Sequence, residues 1–92
     1  MTDEQTAEVE IEKHRAVIDS LDEQIVALLN KRAEQSLAIR ALKPSAQMGL
    51  YDPKREEEIF TRLEDLNDGP MYSDDVRKIY STILKVMKEI RA

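Results

Sequence analysis

Apolar residues in the first half of the chain recur at helical spacing. With one exception, isoleucine returns at every seventh position, and leucine takes companion positions on the same face. The residues of this face are Ile11, Ile18, Leu21, Ile25, Leu28, Ile39 and Leu42. Because neither Gly nor Pro interrupts residues 9–42, the pattern predicts one helix of about 34 residues, roughly 50 Å long. Residues 1–8 are acidic and aperiodic, so we expect a frayed terminus before a single helical domain over 9–92.

Two further helices are predicted after a loop over residues 44–51, which begins with Pro44. Asp52 and Pro53 mark a helix start, since an Asp side chain caps free amides and Pro suits the first helical position. The apolar stripe of this second helix is Ile59, Phe60, Leu63 and Leu66. Residues 67–70, Asn-Asp-Gly-Pro, predict the turn that ends it.

The third helix is expected to begin with Ser73 as its cap. Its predicted buried face comprises Val76, Ile79, Tyr80, Ile83, Val86, Met87 and Ile90. No strand-like alternation occurs anywhere in the chain. The predicted fold class is therefore all-α, with one very long, one short and one medium helix.

Arg32 is the exception in the isoleucine series of the first helix. A guanidinium turned towards a packing seam loses hydration, which it must recover from a partner such as a carboxylate or phosphate. Residues 31–55 carry six basic and two acidic side chains, whereas residues 1–30 carry two basic and eight acidic ones. This local positive region favours a small anionic ligand, and a solvated basic face is the alternative.

The composition excludes several other classes of function. The 92 residues include no cysteine, so disulfides and zinc–thiolate sites are ruled out. With 19 acidic and 14 basic residues, general affinity for nucleic acid is not expected. The chain has neither a secretory signal pattern nor the roughly 18 consecutive apolar residues of a membrane span. We expect a cytoplasmic protein that binds neither nucleic acid nor membranes.

Several cations of the first helix are spaced for a shared ligand. Arg32 and Lys43 fall on one face, about 16 Å apart along the axis, and their long side chains can reach towards a molecule between them. Arg15 lies roughly 25 Å from Arg32 along the same helix, too far for both to hold one small molecule. Two such helices packed antiparallel about a two-fold axis would place Arg15 of one copy beside Arg32 of the other.

Asp52, Arg55 and Glu56 occupy the predicted first turn of the second helix, where a polar ligand can also use free amides. A helix cap followed by a solvated turn is the simpler interpretation, since caps far outnumber active sites. The sequence contains no paired nucleophile and base, no metal-ligand cluster and no glycine-rich phosphate loop. The sequence therefore lacks the residue sets that hydrolases, kinases and metalloenzymes ordinarily use, and no cofactor or metal is expected.

Three blocks of sequence resemble a known family. They read Arg15-x-x-Ile18-Asp19-x-Leu21-Asp22-x-x-Ile25-x-x-Leu28-Leu29-x-x-Arg32, then Ile39-x-x-x-Lys43, then Tyr51-Asp52-x-x-Arg55-Glu56. In these residues the chain resembles the all-helical (AroQ-type) chorismate mutases. The resemblance implies an intertwined three-helix homodimer with two active sites, each built from both chains. It also implies conversion of chorismate to prephenate, at the entry to phenylalanine and tyrosine synthesis.

The resemblance assigns roles to the three cations of the first helix. Arg15 of the partner copy and Arg32 of the home chain would hold the two carboxylates of the substrate. Lys43 would donate a hydrogen bond to the ether oxygen of the breaking bond. The same helix departs from the family pattern at Arg40, where relatives often have glycine.

The resemblance also assigns roles to the second and third helices. Asp52 and Glu56 would surround the ring hydroxyl of the substrate, and Arg55 would support that polar wall. Where the family commonly has a serine and, four residues later, a glutamine or glutamate, a gapless alignment gives Met87 and Arg91. Arg91 would then donate the hydrogen bond that an amide supplies in relatives.

Two alternative functions stay open from the sequence. Within the same fold, an isochorismate pyruvate lyase or a related chorismate-type enzyme would bind its substrate through the same arginine and lysine side chains. From another class, the chain would be a weakly active or non-catalytic dimerisation or regulatory module that docks on another enzyme of aromatic synthesis. Consumption of chorismate by the purified protein discriminates a chorismate mutase from the module.

Overall fold

The computed structural model describes residues 2–46, 49 and 52–91. These residues contain three helices, α1 (Asp3–Leu42), α2 (Pro53–Leu66) and α3 (Ser73–Glu89), and no strand within the described ranges. The predicted all-α class and the order of a long, a short and a medium helix are confirmed. The chain divides into two compact units, Met1–Arg32 and Ala33–Ala92. In the parts that the structure describes, no helix is both long and apolar enough to cross a membrane.

The start of α1 lies six residues before the predicted one, at Asp3. The hydroxyl of Thr2 accepts a hydrogen bond from the Gln5 amide (3.2 Å), and the Gln5 side chain accepts one from the Thr2 amide (3.1 Å). This reciprocal pair is a capping box, which satisfies backbone donors that a helix start leaves without partners. The predicted start at Val9 was wrong because it was placed where the apolar pattern begins, and that pattern begins several residues after the capping box.

The first unit is helical from Asp3 onwards and leaves its apolar side chains in solvent. Among its described residues, all are exposed apart from Leu29 and Arg32, which are half-buried. The isoleucine and leucine face is included in this exposure: Ile18 is 54% accessible, Ile25 52% and Leu28 61%. Full burial of a large aliphatic side chain contributes about 1.5–3 kcal/mol of transfer free energy, and these half-exposed side chains obtain only part of it. A second surface that covers this face would therefore be stabilising.

The core of the second unit lies between α2 and α3 and is formed by Ile59, Val76, Leu84 and Met87. Leu84 was missing from the predicted face, whereas Ile79 and Val86, which were predicted to be buried, are about half accessible. At about 100° per residue the apolar arc of α3 is wider than one neighbouring helix can cover. One flank, with Ile79 and Val86, is therefore left exposed within the chain.

The turn between α2 and α3 forms at residues 67–70 as predicted. The Asn67 side chain donates to the carbonyl of Met71 (2.7 Å), and Gly69 has φ 78°, a left-handed conformation that glycine adopts without strain. The cap of α3 is Tyr72, with Ser73 as its first helical residue. Asp75 accepts a hydrogen bond from the Tyr72 amide (3.3 Å), so the expected capping role of Ser73 was wrong.

Arg77 of α3 binds three side chains of α2. Its guanidinium lies 2.8 Å from a carboxylate oxygen of Glu57 and 2.5 Å from one of Glu64, and it stacks over the ring of Phe60 at 4.5 Å from the centroid. Hydrogen bonding to this guanidinium lowers the pKa of Glu57 below its ordinary value. Arg77 therefore joins the two helices by charge, by hydrogen bonds and by contact with an aromatic face.

The Arg77 contacts predict an acid-sensitive contribution to stability. Because the pKa of Glu57 is lower in the folded state than in the unfolded state, its contribution is present above the unfolded pKa and is lost as the pH falls through the folded pKa. We expect Arg77→Met to lower the thermal midpoint by a few degrees at about pH 7 and by less at about pH 3. The measurement is thermal denaturation followed by circular dichroism.

Arg62→Met is the matched control, because Arg62 is an exposed arginine of α2. It should change the midpoint little, and by the same amount at both pH values. An Arg77→Met deficit that is as large at low pH as at neutral pH would contradict a role for the ionised Glu57 carboxylate.

Candidate functional site

The end of α1 places Lys43 at the start of a turn. The helix ends at Leu42, yet the Lys43 amide still donates to the carbonyl of Ile39 at 3.0 Å, so its backbone continues the helical path by one residue. Pro44 follows, and it has no amide hydrogen with which to extend the helix. Lys43 is half-buried. The sequence prediction of a helical register for Lys43 and of an end at Pro44 agrees with this geometry.

The first turn of α2 is fixed by its cap. A carboxylate oxygen of Asp52 accepts a hydrogen bond from the Arg55 amide at 3.0 Å, and Pro53 occupies the first helical position. The capping interpretation of Asp52 is therefore correct. The same contact holds Asp52, Arg55 and Glu56 on one short stretch of backbone. The Arg55 side chain is 58% accessible, and its guanidinium lies 3.9 Å from the Glu58 carboxylate. Such a solvent-exposed ion pair contributes little to stability.

Glu56 differs from the other residues of this turn because its side chain meets α3. Its carboxylate lies 2.5 Å from the ammonium group of Lys88, and the Glu56 side chain is only 25% accessible. Lys88 is more exposed, at 53%. The contact joins a predicted wall residue of the site to the last turn of α3, so it positions the carboxylate of Glu56.

Lys88 is a residue that sequence reasoning missed. The gapless alignment placed Met87 and Arg91 at the family's two polar positions on α3 and gave the site role to Arg91. Met87 is buried in the core between α2 and α3, in agreement with its place on the predicted buried face. Its neighbour Lys88 instead carries the contact with Glu56. The sequence offered no local signal for Lys88, because its partner Glu56 lies on a different helix.

Arg40 also has contacts that the sequence did not reveal. Its guanidinium donates hydrogen bonds to the carbonyls of Met87 (2.7 Å), Lys88 (3.0 Å) and Ile90 (2.8 Å). Met87 and Lys88 lie in the last turn of α3 and Ile90 follows its last residue, so these carbonyls have no amide partners within the helix. Arg91 lies beyond the last helical residue, Glu89, and is exposed. Arg40 thus connects the last turn of α1 to the end of α3.

Arg15 and Arg32 lie in the first unit, on one helix. Their separation of roughly 25 Å along the axis follows from the helical rise, so one chain does not bring them together. Arg15 is 68% accessible and lies 2.7 Å from the carboxylate of Glu12, one turn away on the same helix. Arg32 is half-buried. Tyr51, which belongs to the family-like block before Asp52, lies outside the described residues.

The described residues supply cations and a polar helix start rather than a nucleophile. No group of three or more His, Cys, Asp or Glu side chains in the described ranges is arranged to hold a metal ion. Lysine and arginine side chains bind carboxylates through charge-assisted hydrogen bonds, and they stabilise negative charge that develops on oxygen. Side chains of these types suit a compact anionic substrate.

Comparisons with known proteins agree with the sequence resemblance. The profile of the family described as chorismate mutase type II matches residues 14–92. The bifunctional chorismate mutase/prephenate dehydratase of Neisseria gonorrhoeae is 37% identical over 71 residues, which cover 77% of this chain and 19% of that protein. The chain spans between 19% and 25% of the length of the curated relatives that it matches.

Solved structures give the same result at the level of the fold. Chorismate mutase of Thermus thermophilus, in its form I structure, has a TM-score of 0.82 and 32% identity, and the match covers 85% of this chain and 98% of that one. Chorismate mutase of Helicobacter pylori in complex with prephenate has a TM-score of 0.80 and 32% identity, with 88% of each chain covered. All seven residues of the predicted site lie within the range matched by the family profile.

Proposed function

The chain belongs to the chorismate mutase type II family, and we propose that it rearranges chorismate to prephenate. The observation that carries this proposal is the extent of the family match, residues 14–92, which includes every cation and carboxylate of the predicted site. The complex of the Helicobacter pylori relative with prephenate supports the same substrate class. The product would enter phenylalanine and tyrosine synthesis.

The proposed reaction suits the residues available. A sigmatropic rearrangement moves bonds within one molecule, so it requires neither a nucleophile nor proton transfer. The protein accelerates it by holding the compact reactive conformer and by stabilising negative charge that grows on the ether oxygen. Fixed arginine and lysine side chains, which are useless as hydrolytic nucleophiles, meet both requirements.

Each predicted site residue keeps its role as part of this proposal. Lys43 donates to the ether oxygen, and the hydrogen bond from its amide to the Ile39 carbonyl supports this role because it fixes the Lys43 backbone. Asp52 and Glu56 surround the ring hydroxyl, and the capped first turn of α2 supports them. Arg55 supports that wall, and Arg91 donates a hydrogen bond from beyond the end of α3.

In the proposed site Arg15 and Arg32 bind the two substrate carboxylates, but within one chain these two arginines lie far apart on α1. We propose a homodimer in which Arg15 of one copy and Arg32 of the other bind the same substrate. The exposed isoleucine and leucine face of the first unit supports a second copy as the covering surface, as does the exposed flank of α3 at Ile79 and Val86. The domain is proposed to extend over 9–92 and to be cytoplasmic.

The proposed dimer predicts the molar mass in solution. Light scattering at micromolar concentration should give twice the 10.6 kDa mass of the chain. An interface that covers the long apolar face should bury well over about 2,000 Å² in total, as obligate dimers do. A folded helical monomer at this concentration would contradict the shared site and remove the role of Arg15.

A second proposed partner is another enzyme of aromatic synthesis. The Neisseria gonorrhoeae relative is named as a mutase joined to a prephenate dehydratase, and the chain matches only 19% of it. This fusion supports a dehydratase as the partner class. Co-elution of the purified chain with a separate prephenate dehydratase would test the association, and two independent peaks at micromolar concentration would contradict it.

The proposed activity is tested by following chorismate loss in the ultraviolet with the purified chain alone. We expect turnover in the ordinary range of enzymes, about 1–10³ per second. Heat-denatured protein at the same concentration gives the uncatalysed background. Loss at the background rate would contradict the enzyme and favour the regulatory module, particularly if a dehydratase partner then restored turnover.

A further inference from the structure

The end of α3 is not closed by a glycine. Many helices end in a glycine that turns the chain and lets later amides bind the last carbonyls. Here Ile90 and Arg91 follow Glu89, and Ile90 has an extended conformation, with φ −62° and ψ 148°. The last carbonyls of α3 are therefore left to bind water or donors from another part of the chain.

Arg40 supplies those donors from the last turn of α1. Two of its guanidinium nitrogens bind three carbonyls, those of Met87, Lys88 and Ile90, at 2.7–3.0 Å. The planar fork suits this task because its donors point in fixed directions, and its positive charge complements the negative end of the helix dipole. A lysine at this position has one ammonium nitrogen and cannot reach the three carbonyls in the same geometry.

The last turn of α3 is also the turn from which Lys88 reaches Glu56. Arg40 binds the Lys88 carbonyl, and the Lys88 ammonium lies 2.5 Å from the Glu56 carboxylate. The contacts thus run from Arg40 through Lys88 to Glu56, without interruption. A shift of the last turn would move the ammonium of Lys88 and release the carboxylate that it holds.

We propose that Arg40 is a positioning residue for the active site. It fixes the last turn of α3 and, through Lys88, holds Glu56 in the orientation that binds the ring hydroxyl. The claim about catalysis rests on the proposed chorismate mutase function, whereas the claim about the helix end does not. Arg40 itself touches no substrate in this account.

A double-mutant cycle tests whether Arg40 acts through Lys88. We expect Arg40→Met to lower kcat/KM for chorismate by about 10-fold, and Lys88→Met to do the same, because small misplacements of a binding group have effects of this size or larger. The double variant should also lose only about 10-fold, since residues in one chain of contacts are not independent. A loss of about 100-fold would show independent effects and overturn the proposal.

Two further variants separate positioning from general loss of structure. Arg40→Lys keeps the charge and should recover part of the activity, with a loss of about 3-fold. Lys78→Met combined with Lys88→Met is the control cycle, because Lys78 is exposed on α3 about 15 Å from Lys88 along the helix axis. Lys78→Met should leave kcat/KM nearly unchanged, so the double variant should match Lys88→Met alone. Coupling between Lys78 and Lys88 as strong as that between Arg40 and Lys88 would overturn the specific route through Arg40.

Hydrogen exchange supplies a readout that needs no substrate. The Ile90 amide donates to the carbonyl of Val86 at 3.0 Å, so it reports on the last turn of α3. In Arg40→Met it should exchange about 10-fold faster, while amides in the middle of α3, such as that of Tyr80, keep their rates. Unchanged exchange at Ile90 would overturn the positioning claim. Absence of chorismate turnover in the wild-type protein, with faster exchange in the variant, would overturn the proposed function and leave Arg40 as the residue that fixes the helix end.

Discussion

Lys43→Ala is expected to lower the turnover of chorismate by about 10²-fold or more while the fold stays intact. The physical reason is that Lys43 stabilises charge that appears on the ether oxygen only in the transition state. The loss should therefore fall on kcat more than on KM. Steady-state kinetics at saturating chorismate measure it, and the helical circular dichroism signal checks the fold.

Lys78→Ala is the matched control for this substitution. Lys78 is an exposed lysine of α3 and has no role in the proposed site. Its replacement by alanine changes the net charge of the protein by the same amount as Lys43→Ala does. It should keep kcat within about 2-fold of the wild-type value, as an exposed substitution away from the site. Near-normal turnover in Lys43→Ala would show that Lys43 belongs to a solvated surface and would move the site elsewhere.

Mixing two inactive variants is expected to restore activity if each site is built from both chains. Arg15→Ala and Arg32→Ala should each be nearly inactive, because each leaves a substrate carboxylate without its bidentate partner. In a mixed dimer, one site combines Arg15 of one chain with Arg32 of the other and is intact, while the second site lacks both. Co-refolding equal amounts should restore about a quarter of wild-type activity, since half of randomly formed dimers are mixed.

The control for this experiment combines both substitutions in one chain. Arg15→Ala/Arg32→Ala refolded with an equal amount of wild-type protein gives mixed dimers in which each site lacks one arginine. About a quarter of the activity should then come from the wild-type dimers alone. If the two single variants restore nothing although chain exchange is verified, Arg15 does not cross the interface.

The helical architecture was predictable because it depends on local chemistry and on periodicity. The seven-residue recurrence predicted α1, and Asp52 with Pro53 predicted the start of α2, where the structure has the same cap. The predicted start of α1 was wrong because a local capping signal was overlooked. Thr2 and Gln5 form a capping box that starts α1 early, and it precedes the apolar pattern.

Burial was harder to predict than the helices themselves. The apolar arc of α3 includes Ile79, Leu84 and Val86, and the sequence alone does not show which part faces α2. The structure places Leu84 in the core and leaves the other two about half exposed. Apolar side chains occur on every surface that is buried in the assembled protein, including a surface that a second copy would bury. The apolar pattern therefore predicts more buried residues than the core of one chain contains.

The site was predictable by residue type and only partly by contact. The cations of α1 stood out because Arg32 interrupts an apolar series, and the first turn of α2 stood out by its cap. The contacts of Arg40 with Ile90 and of Lys88 with Glu56 could not be predicted, since they join residues about 50 and 30 positions apart. Such contacts depend on how helices pack, which no local spacing records.

The most direct test of the central claim is proton NMR of chorismate incubated with the purified chain. We expect one prephenate formed for each chorismate consumed, with no pyruvate released, and loss of the prephenate signal in Lys43→Ala. Release of pyruvate in place of prephenate, or no consumption above the uncatalysed rate, would contradict assignment of the chain as a chorismate mutase.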